Sequence, residues 1–235
     1  MSAWSRYKKR KAYEQQLKKY AHNSYPATFD WNWTTQRFNR IALVNLLVSK
    51  FPDCNYLEIG CADDALFQSV FCNHKVGVDP KSGGTIRKTS DDFFSENNEK
   101  FDVVFIDGLH TYEQVRLDIM NSIQHLSDGG WIAMHDMLPR NWLEQHIPHL
   151  GQGGWLGDVW KVAFELATSP DIDFRILKID HGVGVFRLKH PKAKLNDRFH
   201  ELPTKQFQFF YENFNQLPVF SWEESRAWLG LNPTD

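Results

Sequence analysis

The sequence predicts an α/β protein built on a doubly wound, mostly parallel seven-stranded sheet that ends in an antiparallel hairpin, with helical extensions on both sides. Three observations carry this. Between residues 56 and 135, short apolar, β-branched runs alternate with helix-like stretches, the order that builds a parallel sheet covered on both faces. Two further runs, at 174–179 and Val183–Leu188, are separated only by Asp180, His181 and Gly182 and so form a hairpin. Aromatic residues make up 14 % of the chain and crowd the flanks of this alternation. The expected boundaries are an N-terminal extension over 1–33, a sheet domain over 34–190 and a C-terminal extension over 191–235.

In chain order, Trp4, Tyr7, Tyr13, Leu17 and Tyr20 recur at helical spacing in a Lys/Arg/Gln-rich segment, which reads as an amphipathic helix. Its aromatics are expected to dock on the body of the protein or on a second subunit. Residues 25–33 read as a loop. Thr34 or Thr35 then caps a helix carrying Phe38, Ile41, Ala42, Leu46 and Leu47 that stops before Pro52. Strands follow at 56–61 (YLEIGC), 75–79 (KVGVD), weakly at 86–89, and at 101–107 (FDVVFID). Thr111 and Gln114 have the spacing of a capping box for a helix that puts Tyr112, Val115, Ile119, Met120 and Ile123 on one face. An Asp128-Gly129-Gly130 turn introduces a strand at 131–135 (WIAMH), and Asp158 caps a helix running to about Ala167. Beyond Pro191, the Phe207–Phe214 cluster and a Ser221/Glu224 capping box predict two helices packed on the body or on a partner.

The chain has 235 residues, with 27 Lys+Arg against 29 Asp+Glu and a net charge of -2. That balance argues against electrostatic capture of nucleic acid or of an anionic membrane surface. The best apolar run, residues 41–48, is broken by Asn45 and is far short of a bilayer span. No apolar stretch follows the basic residues Lys8 to Lys11, so no secretory signal is read. Three cysteines without a CxxC pair fit a reducing, cytoplasmic setting.

In an open parallel sheet, ligands bind beyond the carboxyl ends of the strands, so the residues just past each strand carry the most information. After the first strand come Glu58, Gly60, Cys61 and Ala62, followed by Asp63 and Asp64. Gly60 lets a ligand approach the backbone, but Ala62 and Asp64 stand where a dinucleotide fingerprint needs glycine. Acids beside a pyrophosphate would also add like charge. Asp79 ends the second strand 19 residues after Gly60, where a carboxylate accepts ribose hydroxyls. Ser90 and Asp91 offer polar partners to an adenine edge. Asp107 and His110 follow the fourth predicted strand, and His135 and Asp136 follow the fifth. They bring two carboxylates and two imidazoles into one cleft, suited to general base work or to holding a hard divalent ion through Asp107 and Asp136. His181, in the hairpin turn, is a candidate substrate contact. The long segment from Met137 to Asp158, with Trp142 and Trp155, reads as a lid or binding loop.

The succession YLEIG, KVGVDP, TSDDFF, FIDGLHTYEQVRLDI, GGWIAMHD and GDVWKVAFEL resembles the class I S-adenosylmethionine-dependent methyltransferases. It is most similar to their small-molecule and sugar O-methyltransferases. The resemblance covers residues 38–188 and implies a Rossmann-like sheet with S-adenosylmethionine as cofactor. It implies Glu58 near the methionine amino group and Gly60, Cys61 and Ala62 around it. Asp79 then falls on the ribose and Ser90 or Asp91 near adenine. It implies Asp107 and Asp136 as magnesium ligands and His110 as base, with Asp107 and His135 beside it in the catalytic cluster. His135 replaces a carboxylate of the magnesium-dependent relatives. The acceptor implied is a small molecule, such as a sugar, glycan precursor or natural product. Self-association through the aromatic terminal helices is a further expectation. Two rival readings remain open, a cofactor-binding module without turnover and an NAD-dependent oxidoreductase.

Overall fold

The computed structural model describes residues 3–231 except Gln152, so the outermost ends of both extensions lie outside the described residues. Its elements are α1 (Ala3–Lys19), α2 (Arg40–Val48), β1 (Asn55–Ile59), α3 (Ala65–Ser69), β2 (His74–Val78), α4 (Ser90–Glu96), β3 (Phe101–Ile106), α5 (Tyr112–Gln124), β4 (Leu126–Met134), α6 (Trp160–Ala167), β5 (Ile172–Leu177), β6 (Val183–Leu188), α7 (Phe207–Asn213), β7 (Val219–Phe220) and α8 (Trp222–Ser225). The seven strands form one sheet in the order β2-β1-β3-β4-β6-β5-β7. β6 runs antiparallel to both β4 and β5, while every other pairing is parallel. This is the Rossmann-like, hairpin-ended sheet that the alternation predicts.

Successive side chains of a strand point to opposite faces, and here both faces are buried. Leu57, Ile59, Val104, Ile106, Ile132 and Met134 pack with α5, α6 and α7 on one side. Tyr56, Val103, Phe105, Trp131 and Ala133 pack with α2, α3 and Trp222 on the other. The register places the site: Ile59 pairs with Val78 and with Ile106, and Ile106 pairs with Met134. The next residues, Gly60, Asp79, Asp107 and His135, therefore emerge level with one another. Met134 also pairs with Gly184, so the Asp180–Gly182 turn arrives at the same edge.

Five expectations are corrected. The weak strand at 86–89 is only a single bridge between Ile86 and Val78, and the seventh strand is β7, from the C-terminal extension. Residues 33–35 form one 3-10 turn rather than a helix start. α2 begins at Arg40 under Asn39, whose Oδ1 accepts from the amides of Ile41 and Ala42. Asn39 has the extended backbone of a cap, which frees Phe38 to stack on Trp222 with centroids 4.3 Å apart. The Thr111/Gln114 capping box does not form, and Asp158 does not cap its own helix. Asp158 reaches across the chain instead, and its Oδ1 accepts from the Tyr112 amide at 2.7 Å. Finally, α1 is helical, but Trp4 and Tyr7 do not dock on the body of the protein, being 65 % and 59 % exposed. Lysine shields part of that surface, with Lys8 Nζ lying 3.5 Å over the Trp4 ring. Tyr20, beyond its end, meets the body against the His146 ring. The Ser221/Glu224 capping box forms as the spacing predicts, and Phe207 and Phe210 of α7 are fully buried. No described helix is long and apolar enough to cross a membrane.

Candidate active site

A cavity of about 640 Å³ opens beyond the carboxyl ends of β1, β2, β3 and β4. Glu58, Gly60, Cys61, Ala62, Asp79, Ser90, Asp91, Asp107, His110, His135 and Asp136 all line it. His181 does not; it lies behind His135, with ring centroids 6.2 Å apart, and packs on Trp33. Burial and the charge of His135 push the His181 imidazole towards its neutral form.

The floor is set by sterics. At Gly60 (φ +85°) a Cβ would stand 2.3 Å from the Asp107 carbonyl oxygen, so only glycine lets the ends of β1 and β3 converge. Ala62 (φ 47°) and Asp64 (φ 65°) also have left-handed backbone, the conformation a glycine would adopt without strain at those two positions. The loop is held by Asp79. Its Oδ2 accepts from the amides of Cys61 and Ala62 at 3.1 and 3.0 Å, and its Oδ1 from those of Lys81 and Ser82 at 2.7 and 2.9 Å. Burial opposes charge on Asp79, but these four donors outweigh it and hold the carboxyl below its ordinary range. Asp79 thus ties the β1 and β2 loops together at the place where the ribose acid is expected.

Glu58 is 2 % exposed and accepts a 2.6 Å hydrogen bond from the Tyr56 hydroxyl. Burial raises its pKa to about 7, against the opposing effect of that hydroxyl. A carboxyl so placed is poised to gain from a cationic ligand group. The Cys61 thiol is pushed far up by burial and is inert as a nucleophile. At the far wall, Gln114 Nε2 bridges Ser90 Oγ, Asp91 Oδ1 and Asp118 Oδ1 at 3.2, 3.2 and 3.1 Å. Asp118 is fully buried, and burial pushes its carboxyl up to about 6. Sequence reasoning missed Gln114 and Asp118. The available signal was an acid one turn after Gln114 on the apolar face of α5.

Asp107, His110, His135 and Asp136 meet at one end of the cavity. His110 Nε2 is 3.3 Å from Asp107 Oδ1, and His110 Nδ1 is 3.1 Å from Asp136 Oδ2. His135 Nδ1 lies 3.4 Å from Asp107 Oδ1 and 3.2 Å from Asp136 Oδ1, while its Nε2 is 2.7 Å from the Asp180 carbonyl oxygen. Asp180, missed at the sequence level, is held in turn by the Arg40 guanidinium at 2.8 Å. Burial disfavours charge throughout this cluster, yet the opposite charges prevail at every member but Asp136. Asp107 is held well below the usual carboxylate range by the two histidines, and His135 is raised to about 10 by Asp107 and Asp136. His110 is raised as well, through Asp107 first and then Asp136. Asp136 is pushed up by burial to about 6, against the pull of both histidines.

The lid segment closes over His110. Trp155 stacks on the His110 ring with centroids 5.4 Å apart and 24° between planes, and His149 stacks on Trp155. Trp142 packs instead towards the core and the His146 ring.

Donor atoms of Asp107, His110 and Asp136 lie within 4.8 Å of one another, which raises the question of a metal. Magnesium takes a near-octahedral shell of oxygens at about 2.0–2.1 Å. Here one of three donors is an imidazole nitrogen, and a second imidazole, that of His135, faces the same two carboxylates, a mixed nitrogen and oxygen set rather than an all-oxygen shell. The residues do not fit magnesium.

Residues 72–137 match a family model described as a methyltransferase domain. The matched stretch runs from just before β2 to just past β4. No curated protein matches the chain. Among solved structures, it is similar to an SAH-bound methyltransferase from Podospora anserina at 18 % identity, covering 75 % of this chain and 95 % of that one with a TM-score of 0.48. It is similar to an O-methyltransferase from Bacillus cereus in complex with SAH at 15 % identity, covering 76 % and 91 % with a TM-score of 0.46. A third is described as a putative O-methyltransferase from Klebsiella pneumoniae, at 12 % identity, covering 76 % and 90 % with a TM-score of 0.48. The chain thus carries a Rossmann-like sheet, and the part of it that contributes β2, β3 and β4 matches a methyltransferase domain.

Proposed function

We propose that this protein transfers the methyl group of S-adenosylmethionine to a hydroxyl oxygen of a small molecule or glycan precursor. The observation that carries this reading is the level register of β1, β2, β3 and β4. It gathers a buried Glu58, the Gly60 opening, the Asp79 clamp and the Asp107–His110–Asp136 cluster around one cavity.

The residues fit such a cofactor. Glu58 is a carboxyl seeking a cation, which an amino group supplies. Leu109, 57 % exposed at the rim, gives an adenine ring an apolar platform, and the Gln114–Asp118 pair offers polar groups to its edge. The acids Asp63 and Asp79 repel a pyrophosphate, which weighs against NAD.

When bound, S-adenosylmethionine supplies an electrophilic methyl group, so the chain's own task is alignment and proton removal. His110 receives the proton of the acceptor hydroxyl. Its ring nitrogens face Asp107 and Asp136, which stabilise the imidazolium so formed. Trp155 fixes the plane of the His110 ring and keeps water from that face. Neutral imidazole at His110 is the active form, and the two carboxylates set the pH at which it is available.

The direct test is calorimetric titration of S-adenosylhomocysteine into the protein, with NAD as control, followed by a screen of hydroxylated acceptors with S-adenosylmethionine. Binding of S-adenosylhomocysteine and not NAD is expected. Binding of NAD alone, or of neither, overturns the reading.

A further inference from the structure

The near-neutral total of -2 hides a division of charge. α1 carries seven lysines and arginines against one acid, Glu14, a net +6, so the rest of the chain carries -8. Glu14 is itself paired with Arg10 at 2.8 Å. At about 100° per residue, Trp4, Tyr7, Lys8, Lys11 and Lys18 share roughly 100° of the helix circumference. All five are exposed, whereas Tyr13 and Leu17, on the opposite side, are half-buried. α1 therefore has an inner face and an outer one, and the outer one mixes aromatic rings with lysines. Lys8 Nζ lies 3.5 Å over the Trp4 ring and Lys11 Nζ 5.9 Å from that of Tyr7. Among the described residues, no acid forms an ion pair with Lys8, Lys11 or Lys18.

The root of α1 is fastened to the lid. The Tyr20 ring meets the His146 ring at 4.5 Å, and Asn23 Nδ2 is 3.1 Å from His146 Nε2. The His146 carbonyl accepts from Trp155 Nε1 at 2.9 Å, and Trp155 stacks on His110. Whatever α1 binds is thus joined to the mouth of the catalytic cavity.

We infer that the outer face of α1 docks this protein on an anionic lipid surface. Indole and phenol rings settle at the level of lipid headgroups, and lysine ammonium groups are drawn to anionic headgroups beside them. Five of the seven cations are lysines, point charges without the planar fork that reads base edges, which favours a lipid surface over nucleic acid. Two rings without a continuous apolar stripe suit a helix that lies on the headgroups rather than within the acyl chains. The contacts at His146 then hold the lid beside that surface.

The inference does not depend on the methyl-transfer reading. The full chain is sedimented with phosphatidylglycerol–phosphatidylcholine vesicles and with pure phosphatidylcholine vesicles at low salt. Binding to the anionic vesicles alone is expected, and it should be lost in roughly 1 M salt, where the screening length falls to about 3 Å. Each lysine at such a surface contributes about fivefold, so Lys8→Gln, Lys11→Gln and Lys18→Gln together should weaken binding by about 10²-fold. Replacing Trp4 and Tyr7 by alanine should weaken it without changing its salt dependence. As a control of equal charge, Lys189→Gln, Lys192→Gln and Lys194→Gln together should leave it nearly unchanged, since these exposed lysines lie far along the chain from α1. No binding to anionic vesicles, equal binding to neutral ones, or equal losses in the two triple variants overturns the inference. Tighter binding of duplex DNA than of anionic vesicles at the same salt also overturns it. The wild-type arms decide the matter even if a variant does not fold.

Discussion

Gly157 lies against the backbone of His110 so closely that a Cβ built on it would stand 1.8 Å from the His110 carbonyl oxygen. One residue later, Asp158 accepts from the Tyr112 amide. Two residues earlier, Trp155 stacks on the His110 ring. The end of the lid therefore grips the loop between β3 and α5 by a backbone contact, a side-chain cap and a ring stack. The histidine best placed to take a proton is oriented by residues about 45 positions further along the chain.

Gly157→Ala is expected to move His110 and to destabilise the fold by about 3 kcal/mol, from a strained backbone (φ +66°) combined with a backbone clash. Urea denaturation of the variant checks the stability. The His110 NMR environment should change with it; an unshifted His110 would show that the lid does not orient the ring.

Asp158 and Lys161 form a buried ion pair at 2.7 Å, and the carboxylate also caps α5. Asp158→Ala leaves the buried Lys161 without its counter-charge, with only the Pro203 carbonyl to accept from it, and should cost about 3–5 kcal/mol. Pairing that change with Lys161→Met should recover part of the loss, because no uncompensated charge is then left inside. A double-mutant cycle by thermal or urea denaturation measures the coupling.

Glu58 titrates near 7 in the folded chain because burial disfavours its charge. The folded state therefore holds more protons than the unfolded one between the ordinary glutamate range and about pH 7. The contribution of Glu58 to stability accordingly falls as pH rises through that window. A cationic amino group beside it would reverse the shift, so S-adenosylhomocysteine binding at pH 7 should release about half a proton. Calorimetry in buffers of different ionisation enthalpy counts the proton, and Glu58→Gln should abolish the release.

His110 is raised by Asp107 and Asp136, so its neutral form dominates only above the ordinary histidine range. Methyl transfer should therefore rise with pH through a value above 6.5. His110→Ala should lower turnover by about 10²–10⁴-fold while leaving cofactor affinity nearly unchanged. Near-normal turnover in that variant would remove the base role.

What the sequence by itself determined is the sheet and the residues at its edge. Near-continuous apolar runs, punctuated by turns, depend only on near neighbours. They were sufficient to locate β1 to β6 and hence to single out Glu58, Gly60, Asp79, Asp107, His110, His135 and Asp136 as strand-end residues that share a cleft. The Ser221/Glu224 cap was legible for the same reason, since both partners lie within one turn. Only the tertiary structure decided the features whose partners are far apart in the chain. β7 replaces the weak strand at 86–89 because Val219 and Phe220 find the open edge of β5, which no local pattern records. Asp158 caps α5 rather than its own helix because chain folding brings it to Tyr112. His181 is turned behind His135 by the geometry of the hairpin. The charge of His135 follows from Asp107, Asp136 and Asp180 converging on it through strand register. Hydrophobic periodicity is a local property of the chain, whereas an electrostatic environment is the sum of everything folding brings within a few ångströms.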